Sequence, residues 1–125
     1  MGFVKEFRDL EVYRLSRQLS KEIFEISKQF PREEMYSLTD QVRRSSRSVP
    51  GNIAEGYRKK RYPKMFVNKM GDADGEATET QVWIDFAHEC GYMSEGRQLE
   101  LRMGYEEVGR MLGSMMDHPE RFSLR

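Results

Sequence analysis

A single cysteine, Cys90, stands in a chain of 125 residues whose formal charges sum to zero. One cysteine excludes an intrachain disulfide and points to a reducing compartment, expected to be the cytoplasm. Apolar residues are scarce as well, 38% against 34% charged, and no stretch approaches the ~20 apolar residues of a membrane span. The first residues, MGFVKEFRDL, lack the uninterrupted apolar run of a signal peptide, and Glu6 stands where a myristoylation signal requires Ser or Thr. No glycine-rich phosphate loop, nucleophile elbow or HExxH motif occurs. His88 and Cys90 are two apart and do not share a helical face, and His118 is distant; a zinc site needs at least three convergent ligands. No metal or cofactor is therefore expected, and the chain reads as a non-enzyme.

Zero net charge hides an asymmetry. Residues 1–64 carry 15 Lys and Arg against 9 Asp and Glu, and residues 65–125 carry 6 against 12, so the halves stand at +6 and −6. Such a division suits either an anionic ligand on the first half or a contact between unlike halves of neighbouring subunits. Positive charge is densest in QVRRSSRSVPGNIAEGYRKKR, residues 41–61, where seven basic side chains surround one carboxylate, Glu55.

Helical periodicity organises the chain. Val12, Leu15, Leu19, Ile23, Ile26 and Phe30 step by three and four, the stripe of a helix over about 9–29 that Pro31 ends. Pro31 also suits the first position of a second helix, about 32–60, with Glu33 and Glu34 at the positive end of its dipole. Its stripe is Met35, Leu38, Val42, Ser46, Val49 and Ile53. Pro50 interrupts that stripe without shifting its phase; an interior proline costs about 3 kcal/mol, so a kink near 46–50 is expected rather than a break. RKKRYPK, residues 58–64, reads as a turn, after which Pro63 opens a third helix over about 63–90. Phe66, Met70, Ala73, Ala77, Ile84 and Ala87 line it, with Thr80 or Gln81 filling the turn between, and Gly91 caps its end. The fourth helix, about 94–117, carries Leu101, Tyr105, Val108, Leu112 and Met115, with Ser94 as N-cap and Pro119 beyond. The expected fold is all-α, a single domain over 1–125 built as an antiparallel up-down-up-down four-helix bundle with a kinked second helix.

Three constellations could carry function. On the second helix, at about 100° per residue, the inner positions cluster within about 60°, Arg43, Arg47, Arg58 and Arg61 lie about 100–160° round from Val42, and Arg44 near 200°. Because an arginine fork grips phosphate or carboxylate through two parallel hydrogen bonds, Arg43, Arg44, Arg47, Arg58, Lys59, Lys60 and Arg61 are the candidate nucleic-acid contacts. A solvated helix flank, or ion pairs within an oligomer, would use the same pattern. Asn52 and Glu55 flank the inner stripe and are expected to fix the register of the second and third helices by an interhelical hydrogen-bond network, since unpaired they would cost about 1–3 kcal/mol each.

On the third helix Asp72, Glu76 and Glu79 share a face that could hold Mg²⁺ for phosphodiester chemistry; the EF-hand spacing fails and no partner motif follows. Val82, Trp83 and Phe86 point away from the inner stripe, and a helix apolar on two sides is usually buried on two sides. With Asp72, Glu76 and Glu79 around them they mark the expected interface of a homo-oligomer, aromatic anchors ringed by charge. Gly71 and Gly75, four apart, would let another helix or subunit approach closely.

FRDLEVYRLSRQLSKEIFE, FPREEMYSLTDQVRRSSRSVPGNIAEGYRKKR and FVNKMGDADGEATETQVWIDFAHECGYMS together resemble a bacterial family of four-helix bundles, the proteins encoded in intervening sequences of large-subunit (23S) ribosomal RNA genes. SVPGNIAEG, residues 48–56, is the most specific string. The resemblance implies a cyclic homopentamer. It also implies kinship with the accessory variability determinants of diversity-generating retroelements, which bind a reverse transcriptase and nucleic acid through basic surface. The acidic GDADGE of the third helix departs from the small and apolar residues of many members.

The functional expectation is a non-enzymatic nucleic-acid-binding or scaffold protein, homo-oligomeric, contacting RNA or DNA through the basic face of the second helix, with a reverse transcriptase as a partner by analogy only. The alternatives are a structural homo-oligomer or protein-partner adaptor whose basic face is consumed at subunit contacts and, less favoured, a metal-dependent nuclease.

Overall fold

The computed structural model describes residues 4–123; Met1 and Gly2, on which the lipidation reading bears, lie outside them. The described chain is all-helical, with α1 at Glu11–Ser27, α2 at Leu38–Arg58, α3 at Pro63–Glu89, α4 at Glu95–Asp117 and a short α5 at Glu120–Ser123. Three-residue 3-10 turns, Phe7–Asp9 and Arg32–Glu34, precede α1 and α2. Among the described residues no helix is long and apolar enough to cross a membrane.

The helix ends follow local chemistry. Asp9 belongs to the turn before α1, where its Oδ2 accepts the amide protons of Lys5 and Glu6 at 2.9 and 3.2 Å. The second helix starts at Leu38 and not near 32, because Pro31 opens a 3-10 turn and Glu34 folds back over the helix start. Its Oε1 accepts from the Ser37 hydroxyl at 2.6 Å and from the Leu38 amide at 3.4 Å. Met35 consequently leaves the stripe assigned to it and is 45% exposed. Helix α2 then runs unbroken through a buried Pro50. At the end of α3, Gly91 takes φ +80°, and the amides of Gly91 and Tyr92 bond the carbonyls of His88 and Ala87, the paired bonds of a left-handed glycine cap. Ser94 accepts the Arg97 amide proton at 3.2 Å and starts α4.

Helices α2 and α3 pack most extensively, α1 lies on α2 and α4, and α3 also packs on α4. Facing partners run in opposite directions along each pair. Ser45 meets Thr80 while Gly56 meets Met70, Asp85 meets Gln98 while Gly71 lies by Met116, and Glu22 meets Arg97 while Leu19 packs on Gly104. The stripes read from the sequence meet in one core: Val12, Leu19, Ile23, Val42, Val49, Ile53, Phe66, Met70, Ile84, Leu101, Tyr105, Val108 and Leu112 are all buried. Leu15 and Ile26 sit at its margin, and Thr80, not Gln81, completes the α3 stripe at 0% exposure.

Candidate nucleic-acid interface

The arginines of α2 divide into two groups. Arg43, Arg44 and Arg47 line an open groove of about 650 Å³ with Asp40, Ser48, Gly51, Asn52 and Glu55. Arg43 is anchored by the hydrogen bond its Nε donates to Ser27 Oγ at 2.7 Å. Its guanidinium and that of Arg47 lie 4.7 and 5.3 Å from the centre of the Phe24 ring on α1, and the Lys28 ammonium lies 4.9 Å from the same ring. These contacts orient the cations without neutralising them, since a ring face attracts a cation but carries no net charge. Arg44 reaches Glu79 of α3 at 4.0 Å. That is the only ion pair formed by any of the seven basic candidates among the described residues.

Arg58, Lys60 and Arg61 fall elsewhere. They line a second groove, about 460 Å³, with Lys5, Glu6, Phe7, Arg8, Tyr57 and Tyr62. The helix ends at Arg58, so Arg61 leaves the face of Arg43 and Arg47, while Arg58 stays on it but lies about 16 Å farther along the axis than Arg47. Lys60 donates to the Tyr57 hydroxyl at 2.8 Å, and Lys59 sits at the helix end in neither groove. A third groove, about 570 Å³, is formed chiefly by Tyr13, Arg14, Arg17, Gln18, Ser20, Lys21 and Phe24 of α1, with Arg8 of the turn before it and Arg47 of α2. The sequence reading passed over these α1 cations. Their signal was present, since Arg14, Arg17 and Lys21 step by three and four away from the apolar stripe.

Asn52 and Glu55 do different things. The Asn52 amide donates to Ser48 O at 2.9 Å, within its own helix, because a short polar side chain on a helix readily bonds the carbonyl four residues back. Glu55 does connect helices: Lys69 Nζ donates to its Oε1 at 2.8 Å, and that bond holds the carboxyl below and the ammonium above their usual ranges. The buried link between α2 and α3 comes from residues not singled out for it, Thr80 Oγ1 donating to Ser45 Oγ at 2.9 Å.

On α3, Glu79 accepts from Trp83 Nε1 at 3.2 Å and lies near Arg44, Glu76 is half-buried and Asp72 exposed. They do not converge: among the described residues no three His, Cys, Asp or Glu side chains are grouped to hold a metal ion. Trp83 is half-buried and packs 6.0 Å from Phe86, ring centre to ring centre. Val82 and Phe86 are 43% and 47% exposed. Trp83 and Phe86 line a largely apolar pocket of about 440 Å³ with Glu34, Tyr36, Ser37, Leu38, Gln41 and Cys90. Gly75 faces open space, and a methyl group on Gly71 would come no nearer than 3.9 Å to Met116.

The fold and the grooves define a class, a small all-helical protein carrying clustered surface cations. Residues 8–114 match the family described as 23S rRNA-intervening sequence protein, and the chain belongs to that family. Among solved structures it is similar to a protein of unknown function from the S23 ribosomal protein family of Bacteroides thetaiotaomicron VPI-5482. The two share 22% identity with a TM-score of 0.75, over 85% of this chain and 95% of that one. No curated protein shows significant similarity to the chain.

Proposed function

We propose that this protein is an up-down-up-down four-helix bundle that binds nucleic acid without catalysing a reaction, its α2 arginines contacting phosphate. The observation that carries this reading is that six of the seven basic candidates have no carboxylate within 4.0 Å among the described residues, the exception being Arg44. The acidic α3 of the same chain therefore leaves most of the basic surface to a ligand. Arg43 and Arg47, braced by Ser27 and Phe24, are ordered before binding, which lowers the entropy cost of engaging phosphate. The family description names 23S rRNA, which makes structured RNA the first polyanion to test.

Filter binding of structured RNA and duplex DNA across a salt series tests the reading. Log affinity should fall linearly with log salt, by about 0.9 per duplex phosphate neutralised. Arg43→Ala, Arg47→Ala and Arg58→Ala combined should lower that slope by about 2 to 3. Unchanged binding in the triple variant would sink the site assignment. Self-assembly belongs to the same proposal, with five copies as the family resemblance implies, and is supported by the exposed Val82 and Phe86 beside the Trp83 pocket.

A further inference from the structure

Resting on the reading that the basic surface binds nucleic acid, we infer that the preferred ligand is a single strand. One of its bases stacks on Tyr62, and its backbone crosses α1 along Arg17 and Lys21.

Tyr62 is the residue before α3 and is 58% exposed. Its ring has no aromatic, cation or hydrogen-bonding partner among the described residues, unlike its neighbours. Phe7 packs edge-on against Tyr13 with ring centres 5.1 Å apart, and Tyr57 is 3% exposed and engaged by Lys60. Around Tyr62 the groove supplies five cations, Lys5, Arg8, Arg58, Lys60 and Arg61, against one carboxylate, Glu6, which is already paired to Arg8 at 2.8 Å. An open π face inside a positive groove is the arrangement on which an unpaired base stacks while its flanking phosphates are held by charge, and it tolerates any base. A duplex keeps its base faces in its own stack, so it would leave this ring unused.

Arg8 is also a wall of the α1 groove, whose lining contains five cations and no Asp or Glu. Along α1, Arg14, Arg17 and Lys21 extend over roughly 10 Å at 1.5 Å per residue. Among the described residues Arg17 donates only to the Tyr13 hydroxyl, at 3.1 Å, and Lys21 has no ion pair, while Arg14 is paired with Asp9 at 3.6 Å. Arg47 joins this groove to the one lined by Arg43 and Arg44. Three grooves that look separate thus share walls at Arg8 and Arg47, forming one cationic path that begins at an exposed ring. An acidic peptide would satisfy the cations but not the ring.

The test is fluorescence anisotropy of the full chain with a labelled oligouridylate, the corresponding oligothymidylate and a duplex of equal length, at low salt. Both single strands should bind about tenfold more tightly than the duplex, because ring stacking and phosphate contact do not read the 2′-hydroxyl. Tyr62→Ala should weaken the single strands by about tenfold and leave the duplex unchanged, whereas Tyr62→Phe, which keeps the ring, should bind as wild type. Arg17→Ala with Lys21→Ala should lower the single-strand salt slope by about 1.4. Equal affinity for strand and duplex, wild-type binding by Tyr62→Ala in a chain that retains its helical circular dichroism, or displacement by polyglutamate as effective as by unlabelled strand would each overturn the inference. If duplex is bound equally well and only the Arg43, Arg47 and Arg58 variant loses it, the phosphate-binding surface stands and the single-strand inference falls. Absence of binding to any nucleic acid at low salt removes both.

Discussion

Tyr105 carries an unusual burden for a core residue. It is 1% exposed and its hydroxyl has no hydrogen-bond partner among the described residues; burial, with a smaller contribution from the charge of Glu22, pushes its pKa well above the usual tyrosine range. A buried hydroxyl left unsatisfied costs about 1–3 kcal/mol, so Tyr105→Phe should raise stability by about 1 kcal/mol, seen as a higher urea midpoint at unchanged slope. A second residue-scale prediction concerns the pair that links the start of α2 to the chain after α3. Tyr92 donates to Glu34 Oε2 at 3.0 Å. That bond, followed by desolvation and the charge of Glu34, pushes the Tyr92 pKa from 10.0 to about 12. Bonds from Ser37 first and Tyr92 second hold Glu34 below its ordinary 4.5. The Tyr92 contribution is complete below pH 10.0 and is lost as pH rises through about 12. The Glu34 contribution is present above 4.5 and is lost as pH falls through its lowered value. Urea midpoints should therefore show a plateau with losses at both ends, and Glu34→Gln should flatten both.

At the scale of elements, two glycines of α2 have opposite roles. A Cβ on Gly56 would lie 2.7 Å from Met70 Cε and 2.9 Å from Lys69 Cβ, whereas one on Gly51 would meet nothing within 4 Å. Overpacking costs about 1–3 kcal/mol, and alanine gains about 1 kcal/mol over glycine in a helix interior. Gly56→Ala should therefore destabilise by about 1 kcal/mol net, and Gly51→Ala should stabilise by up to about 1 kcal/mol; thermal melts of the two variants that move in the same direction would refute this packing. The position of Gly56 in SVPGNIAEG explains one requirement of that string, since the backbone must let α3 approach. The string also holds Val49, Pro50 and Ile53, all buried. Much of what makes it recognisable is packing, and its conspicuous Asn52 bonds only its own helix.

At the scale of the whole molecule, the division of charge seen in the two halves of the sequence becomes a division of surface. Two of the cationic grooves lie on α1 and α2 and the third joins the end of α2 to the residues before α1. The carboxylates of α3 and α4 are partly engaged in pairs such as Asp85 with Arg102 and Glu100 with Arg97. Exposed pairs of this kind contribute about 0–1 kcal/mol each, so they shape the field more than they hold the fold. If copies associate through the exposed apolar edge of α3, Val82→Glu with Phe86→Glu should reduce the light-scattering mass to that of one chain, 14.8 kDa. An oligomer that survives both substitutions would place the interface elsewhere.

The sequence alone determined the all-helical class, the four long helices and most of the buried apolar positions, Leu10, Tyr57 and Met93 being outside its stripes, because helical periodicity is local: three- and four-residue steps fold onto one face whatever surrounds them. Its errors were local too. Met35 was assigned to a stripe that Glu34 interrupts by folding back over the start of α2. The candidate site was legible as a set of residue types and not as a place. Tertiary structure decided that Arg43 and Arg47 rest on Phe24, that Arg44 alone meets Glu79, and that Arg58 and Arg61 part from them to join Arg8 and Tyr62. The physical reason is that a groove lies between elements distant in the chain, so its lining depends on the register and crossing of packed helices, which no spacing within one helix encodes.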